Sequence, residues 1–362
     1  MKAVAVFPDS KQISIVDHEP PALSGPTQAR LRILEVGICG TDREICRFDY
    51  GIPPAGQDHL IIGHESLGEV VETGSFVSRV KTGDLVVTMV RRPCPHESCV
   101  ACRAGRQDFC YTGDFTERGI NGAHGFMTEF VVDDERYMNV VPPELREIGV
   151  LVEPLTIAEK ALIQLALIQQ RLPWVSEYKH RAVVLGAGPV GLLGAMALVT
   201  AGFETYVYSR SSHPLAPLVE SFGANYIPAE TNTVDQMGQQ VGAIDVIYEA
   251  TGASRLSFEA SRVLGVNGVF IFTGVPGRKA PIEVDTDLIM RDMVLKNQIV
   301  YGTVNAGRDA FEAAIRDLGV FHSRWPEAVK SLITGRYSMN EYQQLLQGAP
   351  AGIKNVIQLG QM

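Results

Sequence analysis

The sequence predicts an α/β protein of two domains: a twisted, mostly antiparallel barrel-like β domain joined to a doubly wound parallel sheet. Three observations predict it. The chain has 362 residues, a length suited to two domains of ordinary size. Its amino-terminal part carries short apolar runs broken by Gly and Pro, whereas the part after His180 alternates strand-like with helix-like runs. Finally, a Gly-rich turn, GAGPVG at Gly186–Gly191, stands between a predicted strand and a predicted helix.

The elements follow in order. MKAVAVFPDS reads as a short strand and turn, too short in its apolar core for a secretory signal. Strand-like runs follow at Ala29–Val36, Leu67–Glu72, Asp84–Val90 and Phe126–Val132. A helix is expected to start near Thr156, after LVEPL, and composition shifts at Pro173–His180. Beyond it, Ala182–Leu185 reads as a strand, LLGAMALVTAG as a helix and Thr205–Tyr208 as a second strand. Ile244–Ala250, Val269–Gly274 and Ile299–Thr303 supply more strands, with a helix at Ser254–Leu264. A helix over Arg308–Leu318 and a strand near Asn355–Leu359 return to the first domain. The apolar stretch Val183–Phe203 holds five glycines and Pro189, so it reads as strand, turn and buried helix rather than a membrane span.

Composition narrows the function. Apolar residues make up 46% of the chain and charged residues 20%, the balance of a soluble globular protein. A formal charge of -9 without a Lys/Arg run argues against nucleic acid as a partner. A freely diffusing small-molecule enzyme fits better.

Between Cys39 and Glu65 the chain concentrates metal-ligand chemistry. CGTD opens the stretch at Cys39 and GHES closes it, inside the pattern GHExxGxxxxxGxxV formed by Gly63, His64, Glu65, Gly68, Gly74 and Val77. A thiolate, an imidazole and a carboxylate are ligand types that catalytic zinc accepts, with a position left for water or substrate. Glu153, in LVEPL, is a second carboxylate candidate, because an isolated carboxylate among apolar neighbours is costly to bury unless paired or metal-bound. Four cysteines cluster separately: Cys94, Cys99, Cys102 and Cys110 suit a closed structural zinc site that organises a polar loop. His96 lies inside the first gap as an alternative ligand. Cys46 reads as a core thiol. The Gly-rich loop GDFTERGINGAHGF carries Glu117, Asn121 and His124, and for Asn121 and His124 a solvated-loop role is expected.

In GAGPVG, Gly186 makes the tight turn, Gly188 lets backbone approach a pyrophosphate and Gly191 permits close helix packing, with Pro189 and Val190 between them. The helix that follows presents its N-terminus to the anionic phosphates. At the end of the second strand stand Ser209, Arg210, Ser211 and Ser212, where a cation and hydroxyls fit the 2'-phosphate of NADP. Thr251, Thr273 and Gly274, after later strands, are further nucleotide-contact candidates.

Over essentially its full length the chain resembles the zinc-dependent medium-chain dehydrogenase/reductase family, combining GHExxGxxxxxGxxV, the four-cysteine lobe and GAGPVG in that order. It is most similar to the glucose 1-dehydrogenase branch of archaea and some bacteria, on GRQDFCYTGDFTERGINGAHGFMTEF, VEPLTIAEKAL and RDMVLKNQIVYGTVNA. The resemblance implies a GroES-like catalytic domain over residues 1–155 and 306–362, with a structural-zinc lobe at 91–112, and a Rossmann domain over 156–305. It implies one catalytic and one structural zinc, and NADP or NAD with NADP favoured. It also implies oxidation of an aldose, D-glucose or D-galactose, at C1 to the aldonolactone. Cys39 and His64 match the catalytic zinc ligands and Glu153 a ligand acting directly or through water. Glu65 matches an acid that exchanges onto the metal or holds its water, and Thr41 a proton-relay hydroxyl. Glu117, Glu153 and Asn297 match sugar contacts, and Asn305 a nicotinamide contact. A cytoplasmic homo-oligomer, dimer or tetramer, is implied, joined through Val269–Phe272 and Asp285–Thr303. Two other readings stay open: a polyol or secondary-alcohol dehydrogenase of the same superfamily, and a non-catalytic NADPH-binding redox sensor.

Overall fold

In the computed structural model, residues 1–172, 179–210, 215–277, 281–348 and 351–359 are described. Ser211 and Ser212 lie outside them. The chain forms two compact units, Met1–Thr156 with Asn305–Gly319 and Val329–Met362, and Ile157–Val304 with Val320–Ala328. The expected assignment of all of 306–362 to the first unit therefore fails at Val320–Ala328. Aromatic packing accounts for it: the Trp325 ring lies 6.1 Å from that of Phe321 and 6.2 Å from that of Phe222 in the second unit.

The first unit is built on β-sheets that are antiparallel at most pairings. Its largest sheet has seven strands, ordered Met138–Val141, Leu85–Thr88, Glu65–Thr73, Gln28–Gly37, Lys354–Gln358 and Ile333–Ser338, with Phe130–Asp134 also on Gln28–Gly37. Only Ile333–Ser338 and Lys354–Gln358 run parallel within it. The strand Gln28–Gly37 alternates buried and half-buried residues at first and is wholly buried over its last five, as expected of a strand covered on one face and then on both. Val4, Leu31, Ile33, Val36, Phe126 and Ile357 form the core on which these sheets close. The expected strand at Phe126 begins only at Phe130, because the amides of Phe126 and Met127 donate to Gly63 and Ile62 instead of joining a regular ladder.

Six parallel strands make up the sheet of the second unit, in the order Asn225–Pro228, Glu204–Ser209, Arg181–Leu185, Val246–Glu249, Val269–Phe272 and Ile299–Gly302. Numbered within the unit this is 3-2-1-4-5-6, the doubly wound dinucleotide-binding order. The helix Pro189–Thr200 buries Leu192, Leu193, Met196 and Leu198 on different faces, which is why its sequence is apolar all round. Among the described residues no helix is long and apolar enough to cross a membrane. The strand Val269–Phe272 is paired on both sides, so at its end of the sheet the open edge is Ile299–Gly302, with Asn225–Pro228 at the opposite edge.

The helix at LVEPL starts at Val152 and runs to Gln169, four residues earlier than expected. Pro154 falls in its first turn, where a missing N–H costs nothing. Glu153 accordingly stands at a helix start rather than in a preceding loop.

Candidate active site

The strand Glu65–Thr73 and the helix Gly40–Cys46 bring the metal-ligand candidates together. One ligand atom from each of Cys39, His64 and Glu65 lies within 4.8 Å of the other two. Cys39 caps the helix, its amide bonded 2.8 Å to Asp42 Oδ2. Asp42 is fully buried and faces His64 Nδ1 at 3.3 Å, so Nε2 is the nitrogen left for an ion. A carboxylate behind a ligating imidazole fixes its orientation and raises its basicity. Burial opposes a charge on His64, but Asp42 and Cys39 outweigh it and hold the imidazole well above its usual pKa.

Glu65 is paired in register with Gly37. A Cβ on Gly37 would stand 2.2 Å from Glu65 Oε2, so glycine is required for the carboxylate to lie there. Both Glu65 oxygens accept from Lys354 Nζ, Oε1 at 2.8 Å, and the same ammonium donates to Ile38 O at 3.1 Å. Glu153 lies within the field of His64, Glu65, Lys354 and Asp42, and burial pushes its carboxyl up to about 7. It is not among the three atoms that converge. Burial raises the pKa of the Tyr50 phenol to about 12, and the Thr41 hydroxyl pulls it the other way. Asp42, Lys354 and Tyr50 were not singled out in the sequence. Asp42 had a signal, the fourth residue of CGTD; Lys354 had none, because it arrives from a strand almost three hundred residues away.

Thr116–Arg118 carries Glu117 opposite Arg91. Glu117 Oε1 accepts from Arg91 Nε at 3.1 Å, and lies 3.0 Å from both Arg91 Nη2 and Asn305 Nδ2. Arg91 stacks on Phe115, its Cζ 3.7 Å from the ring centroid. The loop after this strand returns to the metal pair, where the Phe126 amide bonds Gly63 O, one residue before His64. Asn305 was expected beside the nicotinamide; the structure ties it to Glu117. Asn297 was expected near the sugar. It occupies a left-handed turn, φ 50°, at the amino end of Ile299–Gly302, and its carbonyl accepts from Arg171. Nucleotide loops sit at the carboxyl ends of parallel strands, so that end faces away from them. Asn121 and His124 serve the loop itself, through Asn121 Nδ2 to Phe115 O and Ile61 N to His124 Nδ1.

Cys94, Cys99, Cys102 and Cys110 place their sulfurs within 4.8 Å of one another, with Cys99 and Cys110 4.0 Å apart. Tetrahedral Zn–S bonds of ~2.3 Å require sulfurs about 3.8 Å apart, so the quartet fits zinc. His96 is no substitute ligand: its Nε2 pairs with Asp114 at 2.8 Å on the surface. Cys46 is buried as a core thiol, its pKa pushed up to about 12 by burial.

In the second unit, Gly186 has φ 102° and its amide bonds Tyr208 O across to the neighbouring strand. A Cβ there would meet Thr251 at 2.6 Å, and one on Gly191 would meet Gly186 O at 2.2 Å. A Cβ on Gly188, by contrast, would face open space. Gly188 caps the helix whose first residues are Pro189 and Val190, which leaves room for a phosphate at that N-terminus. Ser209 ends the neighbouring strand and Arg210 follows it, exposed. Thr251 N, Gly252 N and Gly274 N donate to the fully buried Glu249 carboxylate, and Thr273 Oγ1 donates to Glu249 O. The donors of Thr251, Thr273 and Gly274 thus tie two loops together rather than pointing outward.

A mixed-donor zinc site on a GroES-like β unit, with a doubly wound unit carrying a Gly-rich phosphate turn, defines the zinc-dependent medium-chain dehydrogenases. The family model described as "Alcohol dehydrogenase GroES-like domain" matches residues 25–143, and that described as "Glucose dehydrogenase C-terminus" matches residues 146–359. The glucose 1-dehydrogenase of Methanocella arvoryzae is 38% identical over 363 residues, covering 99% of this chain and 100% of its own. That of Thermoproteus tenax is 38% identical over 368 residues, covering 99% of each. Haloferax mediterranei glucose dehydrogenase, solved with NADP, Zn and gluconolactone, superposes with a TM-score of 0.89 at 32% identity over 100% of both chains. The chain belongs to the glucose dehydrogenase family.

Proposed function

We propose that the chain oxidises D-glucose at C1 to the aldonolactone, with NADP as hydride acceptor and one catalytic and one structural zinc. The observation that carries this is the carboxylate of Glu117. Three bonds from Arg91 and Asn305 converge on its Oε1, and Oε2 is left to accept a sugar hydroxyl. A simple alcohol has no use for such a group; an aldose does. The names of the relatives and the gluconolactone in the Haloferax complex support the same substrate.

Cys39 Sγ and His64 Nε2 are assigned to the catalytic ion, with Asp42 orienting the imidazole. Glu65 stands beside them, held by Lys354, and Glu153 adds a carboxyl able to gain or lose a proton near neutrality. Zinc held there would supply Lewis acidity at the C1 hydroxyl, and the nicotinamide would be the hydride acceptor. Thr41 Oγ1, or water held at Glu65, passes the hydroxyl proton to solvent. Glu117 and Asn305 orient the sugar hydroxyls away from C1. Cys94, Cys99, Cys102 and Cys110 hold the structural ion. Gly188, Pro189 and Val190 receive the pyrophosphate, and Ser209, Arg210 and Ser211 the 2'-phosphate.

A homo-oligomer is supported by the open strand edge Ile299–Gly302 and by exposed Met290, Val294, Leu295, Val300 and Val304 beside it. The negative net charge weighs against nucleic acid, and metal-binding thiols suit the reducing cytoplasm.

Nicotinamide reduction by the purified protein, with NADP and then NAD, tests the reading against D-glucose, D-galactose, D-xylose, sorbitol and a secondary alcohol. Chelator-sensitive turnover on aldoses is expected. Turnover confined to sorbitol or the alcohol would make it a polyol or secondary-alcohol enzyme, and binding of NADPH and zinc without any turnover would make it a sensor.

A further inference from the structure

Away from the residues assigned above to catalysis, the first unit has a cleft of about 480 Å³ whose lining includes five arginines, Arg79, Arg103, Arg106, Arg136 and Arg308, against the single carboxylate of Asp309. Such a concentration is unexpected on a chain of net charge -9. Two of the five are neutralised from behind. Arg106 pairs with Asp108 at 2.9 Å and with Asp309 at 3.2 Å, and Arg136 pairs with Asp134 at 2.9 Å. The other three have no carboxylate within salt-bridge distance among the described residues. Arg103 donates only to Glu97 O, at 3.4 Å, and Arg308 is held by neutral acceptors, Met138 O at 3.3 Å and Asn139 Oδ1 at 3.1 Å.

Arg308 is the most informative of them. It is the first residue of the helix Arg308–Arg324, where a cation meets the positive end of the helix dipole. Burial lowers its pKa, and the charge of Arg79, also on the cleft, lowers it further against the opposite pull of Glu312. Two guanidinium groups that line one cleft therefore repel each other at a helix N-terminus, and an anion between them would relieve it. Guanidinium forks bind phosphate oxygens in bidentate fashion, and helix N-terminal amides add donors.

We propose that this cleft is a second ligand site, distinct from the nucleotide and sugar sites, for a small phosphorylated anion: a diphosphate or a phosphate monoester. Its volume lies in the range of metabolite-sized pockets. Three cations without an ion pair among the described residues match a ligand of two or three negative charges. The site joins three separate stretches, since Arg103 and Arg106 belong to the zinc lobe next to Cys102, Arg79 and Arg136 to the β unit, and Arg308 to the closing helix. A bound anion would fasten the lobe to the unit that carries it and slow the loss of its zinc.

The test uses zinc-replete enzyme saturated with NADP, so that the nucleotide site is filled. Pyrophosphate, inorganic phosphate and glucose 6-phosphate are titrated calorimetrically into wild type and into the double variant R79Q/R103Q, in which both residues are exposed and carry no ion pair. Zinc release to a chromogenic chelator is followed in parallel. Saturable binding of at least one probe is expected, weakened roughly tenfold or more in the variant and weakened again by added salt. The tightest probe separates free diphosphate from a sugar phosphate. Slower zinc release with that probe in wild type, but not in the variant, is expected as well. Absence of saturable binding by all three probes overturns the proposal, as does equal affinity in the variant. A variant that changes oligomeric state without changing anion affinity also overturns it, by making the cleft a contact between copies of the chain.

Discussion

Lys354 Nζ stands 2.8 Å from Glu65 Oε1, with both side chains 2% exposed. The pair joins the last strand of the chain to the strand that opens beside the metal ligands. Removing one partner of a buried pair leaves the second without its nearest opposite charge. Lys354→Met is therefore expected to destabilise the protein by about 3–5 kcal/mol and to reduce catalytic zinc occupancy. Chemical denaturation together with metal analysis checks it; an unchanged midpoint would show that water reaches Glu65 and solvates it.

Asp42 acts on the ion through His64. Asp42→Asn keeps the shape but removes the charge, and is expected to weaken catalytic zinc by roughly 10–100-fold, with the structural ion retained. Competition with a chelator of known affinity measures this.

The lobe has little else to hold it. Its buried apolar cluster is Cys94, Cys99 and Ala101, with Cys102 and Cys110 packed against them. Cys102→Ser should release one zinc ion per chain and expose the lobe to limited proteolysis, since a structural zinc site contributes folding energy outright. Mass spectrometry under native conditions, combined with protease mapping, reads both outcomes.

Glu117→Gln keeps the size of the side chain and removes the charge that strengthens its hydrogen bonds. KM for D-glucose is expected to rise roughly tenfold or more, with little change in turnover of small aldehydes. An equal effect on both substrate classes would remove Glu117 from sugar recognition.

Glu153 gives the pH dependence. Its carboxyl is raised from 4.5 to about 7, chiefly by burial. Between those values the unfolded chain has released the proton and the folded chain retains it, so stability is greatest at the acid end and falls as pH rises toward 7. The metal-free protein should therefore lose stability over that interval, by about 3 kcal/mol at most, relative to Glu153→Gln. Urea titrations of both proteins at several pH values check the slope; parallel curves would mean that Glu153 ionises freely in the fold.

Local patterns carried much of this protein. GAGPVG required only its own glycines and the flanking strand and helix, because the constraints at Gly186 and Gly191 act over a few residues. The cysteine quartet was legible for the same reason: Cys94 to Cys110 is one short excursion. Cys39 and His64 were legible as ligand types, and the strand and helix alternation gave the doubly wound sheet. Tertiary structure decided what depends on distant segments meeting. It set Lys354 against Glu65, bonded Asn305 to Glu117, placed Asn297 at the amino end of its strand, and gathered Arg79, Arg103 and Arg308 around one cleft. The physical reason is that spacing in sequence fixes the neighbours of a residue within one element. Electrostatic and hydrogen-bond partners are chosen by how elements pack, which no local pattern encodes.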